Sequence, residues 1–249
     1  LRSATWAESA SSIVTRTVGG IGSSACSIGW SPIAVMAGTL RQTVAVPDAL
    51  APRHDPDTGE RRPRRTAAVV LAAGAGTRFA GDAHKLRTEV RGKALVLHAV
   101  DAVRAARGFD EVIVVTGADD LLDVLPDDVT ILHNERWEDG QATSLRAAVR
   151  YAEERRHDAI VVGLGDQPGV PATAWEAVAA SDHDLATASF HGEWRPPVRL
   201  SAAMWPSLPV SGDQGARGLL RQRPDMVDSI PCDGDPADVD TLEDLRRWS

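Results

Sequence analysis

The run AAVVLAAGAGTRF, residues 67–79, constrains the fold more than any other segment. Its first seven residues are all small or aliphatic and offer no polar face. Such a run reads as a strand buried on both sides, with a layer of structure above and below it. Small residues and glycines follow at once. They let the backbone approach a ligand closely, and their amides can cradle phosphate oxygens. The loop continues as LAAGAGTRFAGDAHKL (71–86), where Arg78 and Lys85 supply charge-assisted donors suited to a triphosphate. Two better-known glycine loops are excluded. A dinucleotide fingerprint needs glycine where Phe79 stands, and a Walker loop on Gly76 and Gly81 needs lysine where Asp82 stands. The plainer alternative is a strand-to-helix turn that carries a surface Arg and Lys.

The same kind of run recurs. EVIVVTG (111–117), residues 129–133 and AIVVGLGD (159–166) read as further buried strands, with 184–189, 197–200 and 226–230 as shorter ones. Between them, 94–107 and 143–156 carry helical periodicity, 171–180 opens with proline as helices do, and 241–248 closes the chain as a helix. Strands alternating with helices at this spacing predict an α/β fold, a single doubly wound, mostly parallel Rossmann-like sheet over residues 67–249. Such sheets bind ligands beyond the carboxyl ends of their strands, at the switch point. The glycine loop, the loop after the second strand pair and Asp166 should therefore converge.

Residues 1–66 differ in composition. Ser, Gly and Thr dominate, and PDALAPRHDPDTGERRPRR (47–65) is rich in Pro, Asp and Arg. This segment has too little apolar area to offset its ordering entropy, so a disordered extension is expected, with a short helix or strand near 33–37. It carries eight Arg against five acidic residues, a net of +3; the chain's total is −8, which leaves −11 on the remainder. A domain that acidic is a poor sequence-independent nucleic-acid binder. No apolar run is long enough to span a bilayer, and no basic segment followed by an apolar core and cleavage site marks a signal peptide. The two cysteines form no CxxC and the seven histidines no HExxH, so neither a zinc site nor a dithiol is indicated. A cytoplasmic protein is expected, with neither membrane nor nucleic acid as a partner.

LAAGAGTRF followed by Lys85 resembles the signature of the MobA-like NTP transferases, most of all the branch that makes molybdenum cofactor dinucleotides. NERWEDGQATSLRAAV (134–149), GDQPGV (165–170), SGDQGARGLL (211–220) and DVDTLEDL (238–245) resemble further segments of that family, in the right order. The resemblance runs from residue 67 to the end and implies a nucleotidyltransferase. Leu71, Ala72, Ala73, Gly74, Gly76 and Thr77, with Gly140 and Ser144, would hold the nucleotide. Arg78 would grip the β- and γ-phosphates, and Lys85 would stabilise the α-phosphate. Asp166, at a strand's carboxyl end, suits Mg²⁺, which takes one or two carboxylates plus substrate phosphates. The resemblance adds Asp240 as the second carboxylate, with Asp238 as the alternative one pleat away. Asp240 would equally suit the N-cap of the closing helix, with Glu243 completing a capping box, and Ser144 the N-cap of its own helix.

Asn134, Asp213, Gly215 and Arg217 are the acceptor-binding candidates, together with Trp137 and Gly212; Trp194 is placed to stack on a pterin. Ala72-Ala73-Gly74 and Thr143-Ser144 match the cytidylyl-transferring form of the family, which implies CTP. The sequence departs from the family where Pro196 replaces the His of a Gly-His-Pro turn and where Ala80 replaces a glycine after Phe79. The resulting expectation is Mg²⁺-dependent transfer of CMP to a molybdopterin-type phosphate, with a molybdoenzyme as recipient of the product. The alternatives are a sugar, polyol or phospho-acid phosphate as acceptor, or a non-catalytic nucleotide-binding protein that delivers a cofactor. A redox role would lack a dinucleotide fingerprint.

Overall fold

The computed structural model describes residues 64–77, 79 and 84–248. The expected disordered extension lies outside them up to residue 63, as do the element near 33–37 and Arg78. The first apolar run forms strand β1 (Thr66–Ala72), buried along its whole length. Its side chains divide between two cores by the two-residue period of a strand. Ala68, Val70 and Ala72 pack with helices α1 (Leu95–Ala105) and α3 (Ala172–Ala180), while Ala67, Val69 and Leu71 pack with α2 (Gln141–Glu154) and α4 (Gly215–Gln222). This is why the run shows no polar alternation. Each fully buried Val or Leu adds roughly 1.5–3 kcal/mol from water exclusion.

The main sheet has seven strands in the order β5 (Thr130–His133), β4 (Glu111–Thr116), β1, β6 (Ala159–Leu164), β8 (Glu193–Ser201), β7 (Leu185–Phe190), β9 (Val227–Pro231). A small hairpin of β2 (Glu89–Val90) and β3 (Lys93–Ala94) precedes α1. All the main-sheet pairings are parallel except those of β8, which runs against both β6 and β7. The sheet is therefore doubly wound and mostly parallel, as the alternation of elements implies. The chain winds outward from β1 through β4 to β5, then returns to β6 on the other side of β1. That reversal opens a cleft at the carboxyl ends of β1 and β6.

Two local features are not apparent from the sequence. His191 and Gly192 both have positive φ, 52° and 85°, and close a two-residue hairpin turn between β7 and β8. The strand expected at 197–200 therefore starts earlier, at Glu193. Gly163, in the middle of β6, lies beneath the Trp175 indole of α3, and a Cβ there would collide with the ring. The fold also starts slightly earlier than residue 67: the Arg65 amide donates to Asp158 Oδ2 at 2.8 Å, and that of Thr66 to Asp110 Oδ2 at 2.8 Å.

The opposite end of the sheet holds a polar knot. Glu111 accepts hydrogen bonds from Thr130 Oγ1 at 2.6 Å and Tyr151 Oη at 2.7 Å, and its other oxygen lies 3.0 Å from His157 Nε2. Burial pushes the carboxyl up, but the bonds from His157, Thr130 and Tyr151 outweigh it and hold the pKa at about 2. The closing helix, α5 (Leu242–Trp248), packs Leu245 and Trp248 against the α1/α3 core.

Candidate active site

A cavity of about 480 Å³ opens at the carboxyl end of β1. Leu71, Ala72, Ala73, Gly74, Ala75, Gly76 and Thr77 form one wall. Lys85, the first residue of a short 3₁₀ turn, stands behind them. Gly76 has φ of +61°, and a Cβ there would come within 2.8 Å of Lys85 Cβ. Glycine is thus required both for the left-handed turn and for the lysine stem to pass. The turn is tied down on its far side. Arg87 Nε and Nη2 donate to the two Asp119 oxygens at 2.6 and 2.8 Å, a bidentate pair that anchors it to the loop after β4.

The carboxylates meet on Lys85. Its Nζ donates to Asp166 Oδ2 at 2.7 Å and Asp240 Oδ1 at 3.0 Å. Asp166 lies in the turn two residues past the end of β6, so the sheet places it. Asp240 arrives because residues 235–240 lie along the turn after β6: the Asp235 amide donates to Gly169 O and the Val239 amide to Asp166 O, both at 3.0 Å. The alternation of this segment then separates the two candidates. Asp238 accepts from Gln167 Nε2 at 2.8 Å, whereas Asp240 faces Lys85. The helix cap lies elsewhere than the expected Asp240–Glu243 pair. Asp244 Oδ2 accepts from the amides of Thr241 at 2.9 Å and Asp240 at 3.2 Å, and Thr241 Oγ1 accepts in return from the Asp244 amide at 3.1 Å. The Asp240 side chain is thereby left to the cavity.

Burial alone would lower the Lys85 pKa, but the charges and hydrogen bonds of Asp166 and then Asp240 outweigh it and raise it above the usual value. Asp166 Oδ1 is buried and has no hydrogen-bond partner. An orphaned, buried carboxylate oxygen beside a second carboxylate fits a hard divalent cation. Among the described residues no three His, Cys, Asp or Glu side chains form a complete cage. The donor set therefore suits a cation that brings water and phosphate oxygens of its own.

Gly140 and Ser144 line the same cavity, with Trp137, Glu138 and Gln141. Gly140, at φ +99°, precedes α2, and a Cβ there would meet the Gly212 backbone at 2.5 Å. The two loops are laced together: the Ala142 amide donates to Gly212 O and the Gly212 amide to Asp139 O, both at 2.9 Å. Ser144 lies within the first turns of α2 rather than at its N-cap, which is Gly140. Asn134 is buried and lines neither cavity. Its Nδ2 donates to Thr143 Oγ1 and Ser144 Oγ, each at 2.9 Å, and its Oδ1 accepts from the Arg136 amide at 3.1 Å. These bonds make Asn134 a brace for Ser144. Gly215 packs on Gln141, whose Oε1 lies 2.6 Å from where its Cβ would be.

A second cavity, about 710 Å³, adjoins the first through Leu71, Gln141, Leu164 and Asp213. Val162, Val198 and Leu220 give it an apolar floor, and Trp194, Arg195, Arg217 and Arg221 stand around it. Trp194 is 37% exposed, and its indole nitrogen donates to Ser229 Oγ at 3.0 Å, which fixes the ring. Arg217 and Arg221 are exposed and one turn apart on α4, whose other face buries Leu219 and Leu220. Asp213 and Arg217, two of the acceptor-binding candidates, both line this cavity. Arg221 is not among the residues expected from the sequence, although its four-residue spacing from Arg217 on an amphipathic helix is the available signal.

Comparison with known proteins agrees with this layout. The family model for the MobA-like NTP transferase domain matches residues 68–227. Nicotine blue oxidoreductase of Paenarthrobacter nicotinovorans is 32% identical over 197 residues, covering 72% of this chain and 94% of that protein. The crystal structure of the Mycobacterium sp. strain JC1 homologue of Mycobacterium tuberculosis Rv0371c superposes with a TM-score of 0.65 at 29% identity, covering 74% and 94% of the two chains. The M. tuberculosis H37Rv protein itself, in complex with manganese, gives 0.62 at 27% identity, with 74% and 97% covered. No helix among the described residues is long and apolar enough to cross a membrane.

Proposed function

The chain belongs to the MobA-like NTP transferase family and is a nucleotidyltransferase; from that premise we propose that it transfers CMP from CTP to a molybdopterin-type phosphate. The observation that carries this reading is Lys85 Nζ held between Asp166 and Asp240 at the mouth of the glycine-loop cavity. An oxygen of the acceptor phosphate attacks the α-phosphorus, the α–β bridging P–O bond breaks, and pyrophosphate leaves with the electron pair. The acceptor phosphate is already a nucleophile near neutral pH, so the protein needs no general base. Its work is positioning and charge neutralisation.

The amides of residues 73–77 hold the nucleotide against β1. Lys85 offsets charge growing on the α-phosphate, and Arg78 grips the leaving group. Asp166 and Asp240 would hold a divalent cation, Mg²⁺ in this reading, which supplies Lewis-acid neutralisation of the phosphate oxygens when bound. The CTP assignment rests on Ala72-Ala73-Gly74 and on Ser144. Ala73 lines the cavity, and in place of glycine it would restrict the room beside the base and so disfavour a purine. The acceptor extends into the second cavity, where its ring system meets Trp194 and the arginines.

The test is pyrophosphate release with Mg²⁺, molybdopterin as acceptor, and each of CTP, GTP, ATP and UTP in turn. Release with CTP alone is expected. Release with another acceptor phosphate alone would keep the nucleotide site and replace the acceptor. One observation favours a second reading: the relative at 32% identity bears an oxidoreductase name. In that reading the first cavity holds the pyrophosphate of a nicotinamide dinucleotide and the second a planar electron acceptor. Oxidation of NADPH by the purified protein with a quinonoid dye, without pyrophosphate release from any NTP, would select it.

A further inference from the structure

Lys85 stands where the site needs a cation. Its ammonium touches one oxygen of each carboxylate, at 2.7 and 3.0 Å, and the side chain is 9% exposed. Asp166 keeps its second oxygen unbonded and buried. Two carboxylates that share a pocket repel each other, and Lys85 relieves that repulsion while occupying the space between them. A divalent cation that approaches the nucleotide-free protein must therefore enter beside a fixed positive charge, with Asp166 and Asp240 to offer ligands. The phosphates of an NTP change both conditions. They bring further oxygens, and they give the ammonium a new partner: the Lys85 stem passes directly behind Gly76, in the wall whose amides would cradle those phosphates.

Resting on the nucleotidyltransferase reading, we propose that Lys85 is the resident counter-ion of the metal site, exchanged for a divalent cation only when nucleotide phosphates draw the ammonium away. Metal and NTP then enter together, and the protein holds no tight metal site of its own. The exchange keeps a cation against the pair of carboxylates at every stage, so the two never face each other without one. It also makes one lysine serve two states. In the resting protein it bonds to Asp166 and Asp240; in the loaded protein it bonds to phosphate.

The experiment is Mn²⁺ binding without nucleotide or acceptor, followed by electron paramagnetic resonance of the free ion. Lys85→Met keeps the stem and removes the charge, and should bind Mn²⁺ at least tenfold more tightly than the unaltered protein. Lys85→Arg keeps the charge and should bind as weakly as the unaltered protein. Adding Asp166→Asn to Lys85→Met should abolish the gain. Mn²⁺ should also raise the melting temperature of Lys85→Met more than that of the unaltered protein, which gives a readout even if the variant is destabilised. Equal affinity in Lys85→Met and the unaltered protein, or tight binding by Lys85→Arg, overturns the proposal. No CTP or molybdopterin enters these titrations. Failure of the substrate assignment would show in the pyrophosphate assay alone.

Discussion

At the scale of single residues, the site is a set of charges whose partners change with its contents. Lys85→Ala should lower kcat by about 10²–10³, the usual cost of losing one transition-state electrostatic donor. The KM for CTP should change far less. Steady-state pyrophosphate release separates the two, and equal losses would mean that the lysine only binds ground-state phosphate. Arg221 belongs to the other cavity. Arg221→Ala should raise the KM of the acceptor roughly tenfold, the value of one charge-assisted hydrogen bond, and leave the KM of CTP unchanged. Asp166 and the glycine wall are legible in the sequence because strand ends fix their place: with β1 and β6 buried and parallel, the residues just past their carboxyl ends must face the cleft. The brace that Asn134 gives Thr143 and Ser144 is not, because a residue that braces a site and one that touches the ligand occupy the same motif, and only three-dimensional packing shows the bonds.

At the scale of elements, short connections rather than helices decide which side chains reach the cleft. Residues 235–240 are held along the turn after β6, and the α5 cap then sets the orientation of Asp240. Asp244→Ala removes the bonds to two amides and the Thr241 hydroxyl. It should cost about 1 kcal/mol in stability, as N-cap losses do, and raise the concentration of Mg²⁺ needed for half-maximal activity. Thermal denaturation and a metal titration of turnover check the two effects. A drop in stability with an unchanged metal requirement would mean that Asp240 is placed by its backbone alone. The motif TLED shows that some capping box is present, but two acidic residues lie within reach of the first turn, and spacing alone does not choose Asp244 over Glu243. The hairpin is similarly hidden: His191-Gly192 is a turn by its φ values, not by a familiar Asn-Gly sequence. The parallel strands are legible because burial on both faces leaves an unmistakable apolar run. Antiparallel β8, with prolines and an exposed start, shows such a run only in its second half, at 197–200.

At the scale of the whole molecule, the two ends of the sheet divide the labour. The carboxyl end holds the site, and the amino end holds the Glu111 knot that ties β4 and β5 to α2 and the turn after it. We propose that residues 67–249 form the transferase domain, with Arg65 and Thr66 bonded to it; removal of residues 1–63 should leave the melting temperature and turnover unchanged, and a large loss in either would place the extension at the site or in the fold. The Glu111 knot makes acid the condition under which this domain fails. Its folded pKa, about 2, lies below the 4.5 of an unconstrained glutamate, so the unfolded chain binds the proton first. Stability from this group is therefore fully present above pH 4.5 and is lost as pH falls toward 2. The shift corresponds to a contribution on the order of 3 kcal/mol, because each pKa unit is worth about 1.4 kcal/mol. Glu111→Gln should lower stability by that order at pH 7 in urea denaturation and converge with the unaltered protein near pH 2. A constant difference across the range would assign the loss to packing instead of charge.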